Sequence, residues 1–186
     1  MPKKSKVVAL PAIAQNMERV INAFDNCDRE GLKETPMRYA KFLNEFLNSN
    51  KEFKFTTFDA EGYDQMIIEK NIKFYSLCEH HLAPFFGTAA IAYIPNKKIV
   101  GISKLARTLD YYARNFQNQE RITKQVAERL MNELDAKGVA VVLSATHLCM
   151  SMRGVNKPDA ITTTSEVLGI FRTDEKARNE FLTLIK

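Results

Sequence analysis

A chain of 186 residues with 45% hydrophobic residues, twelve of them Phe, is long enough for one domain with a substantial core. Its net charge of +5, from 27 Lys and Arg against 22 Asp and Glu, is a mild excess; with no dense basic run or basic–aromatic interleaving, it suits an anionic small molecule rather than nucleic acid. No apolar run approaches a membrane span, residues 7–10 are too short for a signal peptide, and three cysteines, an odd number, do not suggest a disulfide framework, so a cytoplasmic protein is expected.

In chain order, residues 1–11 read as a flexible basic tail carrying Lys3, Lys4 and Lys6. Ile13, Met17, Val20, Ile21 and Phe24 recur at helical spacing and predict a helix near 12–26, with Cys27 as a small residue at its end. Thr35-Pro36 predicts a second helix, with Thr35 as N-cap and Pro36 in the first turn. Met37, Ala40, Leu43, Phe46 and Leu47 supply its buried face, while Arg38 and Lys41, three apart, share an exposed one. Residues 51–64 read as a connector broken by Gly62, so a helical region over 12–62 precedes the main domain, 63–186.

Strands are expected at 66–77 and 85–94, with a short return strand at 99–102 after the Pro95-Asn96 turn. Ser103 can cap the next helix. Lys104 and Arg107 near its start oppose the helix dipole, a conflict that an anionic ligand would resolve. Gln119-Glu120 opens a long helix with Ile122, Val126, Leu130 and Leu134 inward, ending at Lys137-Gly138. A strand at 139–148, a turn at Arg153-Gly154, a strand at 160–164 and a last helix from Thr173 and Asp174 complete an α+β layout.

Two short segments concentrate the chemistry. Cys78-Glu79-His80-His81 and His147-Leu148-Cys149 hold all three histidines and two of the three cysteines. Cys78 and His81 have a spacing that lets one turn offer both side chains to one ion; Cys149, expected on the same strand face as His147, must come from folding. Three readings follow. Cys78, His81, His147 and Cys149 close a structural Cys2His2 site; or Cys78, His81 and Cys149 hold zinc with water in the fourth position, leaving His147 and His80 for proton transfer; or there is no metal and the two cysteines are buried thiols or a disulfide. The spare His80, and Glu79 as an awkward anion beside two thiolates unless turned away, favour the open site. An open zinc site generates hydroxide at neutral pH, for hydrolysis or ring opening at an electrophilic carbon. Glu120 suits the N–H edge of guanine, and Lys104, Arg107 and Arg153 suit phosphates, which makes a phosphorylated purine a coherent substrate.

The stretch Phe74-Tyr75-Ser76-x-Cys78-Glu79-His80-His81-Leu82-x-Pro84-Phe85-Phe86-Gly87 resembles the signature of the GTP cyclohydrolase I family, of the homomeric zinc-dependent type. Gly101-Ile102-Ser103-Lys104-x-x-Arg107, Gln117-x-Gln119-Glu120-Arg121, His147-x-Cys149-x-x-x-Arg153-Gly154 and Thr162-Thr163-Thr164-Ser165 match further family motifs in order, over roughly residues 12–186. The resemblance implies conversion of GTP and water to 7,8-dihydroneopterin triphosphate and formate. It implies zinc on Cys78, His81 and Cys149, a zinc-bound water attacking C8, and proton handling by His80 and His147. Gln119 and Glu120 would read guanine. Lys104, Arg107 and Arg153 would hold the triphosphate and ribose, with Ser103 also in the substrate site. Arg38 and Lys41 match a phosphate-binding pair reached from a neighbouring subunit. The implied fold is the tunnelling (T-) fold, whose subunits join their sheets into a barrel, usually as a homodecamer of two face-to-face pentamers.

Overall fold

Proline marks the start of both N-terminal helices. In the computed structural model, which describes residues 8–49 and 52–186, α1 (Leu10–Asn22) and α2 (Thr35–Asn48) each carry Pro in the first turn, where its missing N–H leaves no helical bond unmade. The tail expected at Lys3, Lys4 and Lys6 lies outside the described residues. α1 stops at Asn22, short of the expected 26, and the Asn22 Oδ1 accepts the Cys27 N–H (2.9 Å) in the turn that follows. Thr35 is the first helical residue rather than the cap: Glu34 precedes it without a side-chain cap bond, and Thr35 Oγ1 donates back to Gly31 O (3.3 Å). Ala40 is fully buried, and Arg38 and Lys41 are exposed. This first unit ends at Glu52; a second spans Phe53–Lys186.

The expected connector contains a strand. β1 (Thr57–Asp59) pairs antiparallel with β4 (Lys98–Val100), so the short return strand joins β1 in its own two-stranded sheet. The main sheet runs in the order β5-β2-β3-β6-β7, with β2 (Ile67–Cys78), β3 (Pro84–Ile94), β6 (Gly138–His147) and β7 (Thr162–Gly169) antiparallel and the two-residue β5 (Phe116–Gln117) parallel to β2. Alternation sets the faces of β2: Phe74 and Ser76 are buried, Lys73 and Tyr75 exposed.

α3 (Ser103–Ala113) and α4 (Gln119–Leu134) supply the core on one face, where Leu105, Leu109, Ile122, Val126, Leu130 and Leu134 pack with Phe74, Phe85, Ile91, Val141 and Leu143. Ser103 does not cap α3 but opens it, after Ile102 and with no side-chain cap bond. α4 ends earlier than expected, on Asp135 in the left-handed region (φ 50), and Gly138 belongs to β6. A smaller cluster of Ala92, Ile94, Ala140, Phe171, Ala177 and Phe181 brings in α6 (Ile170–Thr173) and α7 (Glu175–Leu184); Asp174 caps α7, its side chain accepting the Lys176 N–H (2.8 Å). No helix among the described residues is long and apolar enough to cross a membrane. The result is an α+β fold.

Register gathers the chemistry at one end of the sheet. Leu77 pairs with Pro84 across the turn from β2 to β3, Phe85 pairs with His147 at the end of β6, and Cys78 pairs with Gln117 just before α4. After His147 the chain enters a single helical turn, α5 (Leu148–Ser151), so Cys149 lies on that turn and not on the strand face expected for it. The close approach of β3 and β6 requires Gly87, because a Cβ there would run into the carbonyl oxygen of Ser144. Gly87→Ala is expected to destabilise the protein by about 3 kcal/mol, the upper range of overpacking, read as a lower urea midpoint.

Candidate metal centre

Three side chains from three places in the chain meet at this end of the sheet. The ligand atoms of Cys78, His81 and Cys149 all lie within 4.8 Å of one another. Cys78 is buried at the end of β2, His81 is exposed in the turn that follows, and Cys149 is half-buried on α5. Cys78 Sγ stands 3.9 Å from His81 Nδ1. A tetrahedral ion with bonds of about 2.3 Å to sulfur and about 2.0 Å to nitrogen needs S–N separations of about 3.5 Å, so small inward shifts complete the geometry. The group can hold a metal ion. Its cysteines are free thiols rather than a disulfide. Burial, and then the neighbouring Cys78, push the Cys149 thiol above its ordinary pKa, with Arg153 pulling the other way. Cys149 is thus a poor thiolate until a cation joins it.

His80 and His147 lie outside this group of three. The His80 side chain is 67% exposed, with Nδ1 3.9 Å from Cys78 Sγ and Nε2 3.9 Å from Glu79 Oε1. His147 is held on two sides. Phe85 stacks on its ring with centroids 4.4 Å apart and planes 6° from parallel. Gln119 Oε1 lies 2.8 Å from its Nε2.

The identity of that Gln119 atom follows from its other end. Gln119 Nε2 points at Leu143 O (3.0 Å), Thr162 O (3.0 Å) and Thr164 Oγ1 (3.1 Å). Carbonyl oxygens only accept, so this end is the amide nitrogen, and the oxygen facing His147 must receive a proton. The neutral imidazole therefore carries its hydrogen on Nε2 and keeps the lone pair on Nδ1. Burial lowers the His147 pKa, with Glu120 partly offsetting it, which favours this neutral form. Gln119, expected against guanine, is thus buried with its amide hydrogens committed to the protein.

Glu120, next along α4, is exposed. Ser103, Lys104 and Arg107 lie on the first turns of α3; Ser103 and Arg107 are exposed, and Lys104 Nζ sits 5.6 Å from the centroid of the Phe53 ring. No described contact links these three to the metal group. Arg153 is exposed after α5, near enough to act on Cys149. Arg38 and Lys41 belong to the N-terminal unit.

Glu79 lies outside the group of three. Arg121 and Asn118 hold its carboxylate, and the bonds from Arg121 first of all keep it below the usual carboxylate range. Arg121, Asn118 and Phe85 have roles here that the motifs do not announce. Asn118 directly before an amphipathic helix was a cap signal, and it does accept the Arg121 N–H (2.8 Å).

The model of the family described as GTP cyclohydrolase I matches residues 13–186. The chain is 54% identical over 160 residues to GTP cyclohydrolase 1 of Aquifex aeolicus (strain VF5), covering 86% of each chain. It is 52% identical over 159 residues to GTP cyclohydrolase 1 of Sulfurihydrogenibium sp. (strain YO3AOP1), covering 85% of this chain and 84% of the relative. It is 47% identical over 180 residues to GTP cyclohydrolase 1 of Coxiella burnetii (strain RSA 493 / Nine Mile phase I), covering 94% and 97%.

The Gln119 contact makes a prediction about the ring it holds. The ¹⁵N shifts of His147 are expected to place the imidazole proton on Nε2, and Gln119→Leu, which removes the acceptor, to give a mixture of tautomers. A ring protonated on Nδ1 in the parent protein would overturn the assignment.

Proposed function

Because this chain belongs to the GTP cyclohydrolase I family, and so converts GTP and water to 7,8-dihydroneopterin triphosphate and formate, the first step of pterin synthesis, we propose that the reaction runs at the Cys78–His81–Cys149 group with zinc as its ion. The observation that carries this reading is a group of three candidate ligands among the described residues, with His147, two residues before Cys149, held by Gln119. A sulfur-rich set with one imidazole suits zinc, and three protein ligands leave one position open. Bound there, zinc supplies Lewis acidity and a nucleophile from water at neutral pH.

The residues of the chain bind and move protons around the purine. His147, with Nε2 tied to Gln119, accepts a proton only at Nδ1. The exposed His80 is the second proton carrier as the imidazole ring opens at C8 and that carbon leaves as formate. Glu120, exposed at the start of α4, accepts from the N–H edge of guanine. Ser103, Lys104, Arg107 and Arg153 hold the triphosphate and ribose through rearrangement and reclosure to the pterin. Arg38 and Lys41 serve the phosphates of a neighbouring subunit's site. The subunit adopts the T-fold and assembles as a decamer of two pentamers, an arrangement that would cover exposed rings such as Tyr75 and Phe86, 6.1 Å apart on β2 and β3. Its compartment is the cytoplasm, which keeps such thiols reduced.

GTP turnover tests the reading when formate and the pterin chromophore are followed together. Chelation is expected to abolish both products and zinc to restore them. His147→Ala is expected to keep zinc and lower kcat by about 10²–10⁴-fold, the range for a proton-transfer group. Tight zinc binding with neither product would instead assign the ion a structural role.

A further inference from the structure

Glu79 lies between two ligand positions, in a turn that does not hold itself comfortably. The turn is closed by backbone bonds from Leu82 N–H to Cys78 O (2.8 Å) and from Cys78 N–H to Ala83 O (2.9 Å). It also passes through Leu82 in the left-handed region (φ 54), which a non-glycine side chain disfavours. The backbone bonds set the path of the turn, and an external tie can fix where its side chains aim.

We propose that Arg121 and Asn118 are positioning residues for the metal centre: by clamping the Glu79 carboxylate against the start of α4, they aim Cys78 and His81 at the ion. This rests on the reading of Cys78, His81 and Cys149 as metal ligands. The clamp is a two-pronged fork. Arg121 donates through one terminal nitrogen to Glu79 Oε2 (2.6 Å) and through the other to Oε1 (2.9 Å). Asn118 Nδ2 adds a third bond to Oε1 (3.1 Å), while its Oδ1 accepts the Arg121 N–H and caps α4.

The tie is itself anchored. Glu79 N–H donates to Gln117 O (3.0 Å), and Arg121 donates a further bond to Gln117 Oε1 (3.1 Å). Gln117 Nε2 in turn donates to Gln125 Oε1 (2.8 Å) and Tyr112 O (3.2 Å). The turn thus meets α4 through main chain and side chain at once. With Arg121 44% and Glu79 29% exposed, the pair adds little to global stability. Its loss should appear in how well the turn presents its ligands.

Zinc titration of the metal-stripped full chain against a chromophoric chelator tests this directly. Arg121→Ala is expected to raise the zinc Kd about 10-fold, the lower end of what loss of a ligand's own hydrogen-bond partner costs, with the thermal unfolding of the zinc-free form little changed. Arg121→Lys, which keeps the charge but not the fork, should recover part of the affinity. Cys149→Ser separates the two readings. If it loses zinc while Arg121→Ala stays within about twofold of the parent, the positioning role is overturned and the ligand assignment stands. If Cys149→Ser keeps zinc, the ligand assignment itself falls. Should Arg121→Ala fail to fold, Glu79→Gln carries the test: weakened zinc binding supports the clamp, and unchanged affinity overturns it.

Discussion

The organisation of this site depends on how the chain enters α4. The two residues of β5 pair in parallel with the end of β2, which sets Gln117 beside Cys78 and starts the helix against the turn that carries Cys78 and His81. Three of the next four residues then hold two pieces of the site. Asn118 caps the helix and holds Glu79, Gln119 reaches His147, and Arg121 completes the grip on Glu79. The contacts differ in kind. Breaking the buried Gln119 contacts would leave the Leu143 and Thr162 carbonyls short of a donor, at about 1–3 kcal/mol. The Arg121–Glu79 pair is solvent-accessible and contributes about 0–1 kcal/mol. One contact belongs to the fold as much as to the site; the other serves the geometry of the turn.

The electrostatics of the centre follow from burial first, and then from how closely the sulfurs are brought together. Burial first, and then the Cys78 sulfur beside it, raise the Cys149 pKa, so without a cation Cys149 favours the thiol. Binding an ion therefore releases protons and replaces an unfavourable pairing with a favourable one. The Glu79 carboxylate, between two members of the group in sequence, could have bound that ion or repelled the thiolates. Its charge is instead matched by Arg121 outside the ligand group.

Much of this was legible in the sequence, for reasons that are local. The every-fourth-residue pattern of α4 reads directly as its buried face, and Ile122, Val126, Leu130 and Leu134 are all fully buried. The alternation in β2 does the same for its two faces. The Cys-x-x-His spacing sufficed to pair Cys78 with His81 because one turn contains both. What failed was decided by tertiary pairing. Thr57–Asp59 has no pattern of its own and is a strand only because Lys98–Val100 lies beside it. Thr35 and Ser103 resemble caps, yet each helix begins on that residue and leaves the hydroxyl elsewhere. Cys149 continues the alternation of β6 on paper, but the chain leaves the sheet after His147. Nothing in the sequence links Arg121 to Glu79, since the bond depends on the parallel pairing of a two-residue strand.

The neighbours Gln119 and Glu120 illustrate why a motif matched residue by residue does not assign chemistry residue by residue. Both are polar, adjacent and suited to a purine edge. On a helix, however, consecutive side chains point about 100° apart. Once Ile122 and Val126 fix the inward face of α4, Gln119 is turned into the protein and Glu120 out of it. A buried amide must find both donors and acceptors, and the end of β6 with the start of β7 supplies them: two carbonyls and a threonine hydroxyl for the nitrogen, an imidazole for the oxygen. Satisfying Gln119 in this way also fixes which nitrogen of His147 bears the proton. The demand that a buried polar group be paired, a requirement of folding, thus sets the protonation geometry of the site. Glu120, under no such demand, is the residue of the two left available to a ligand.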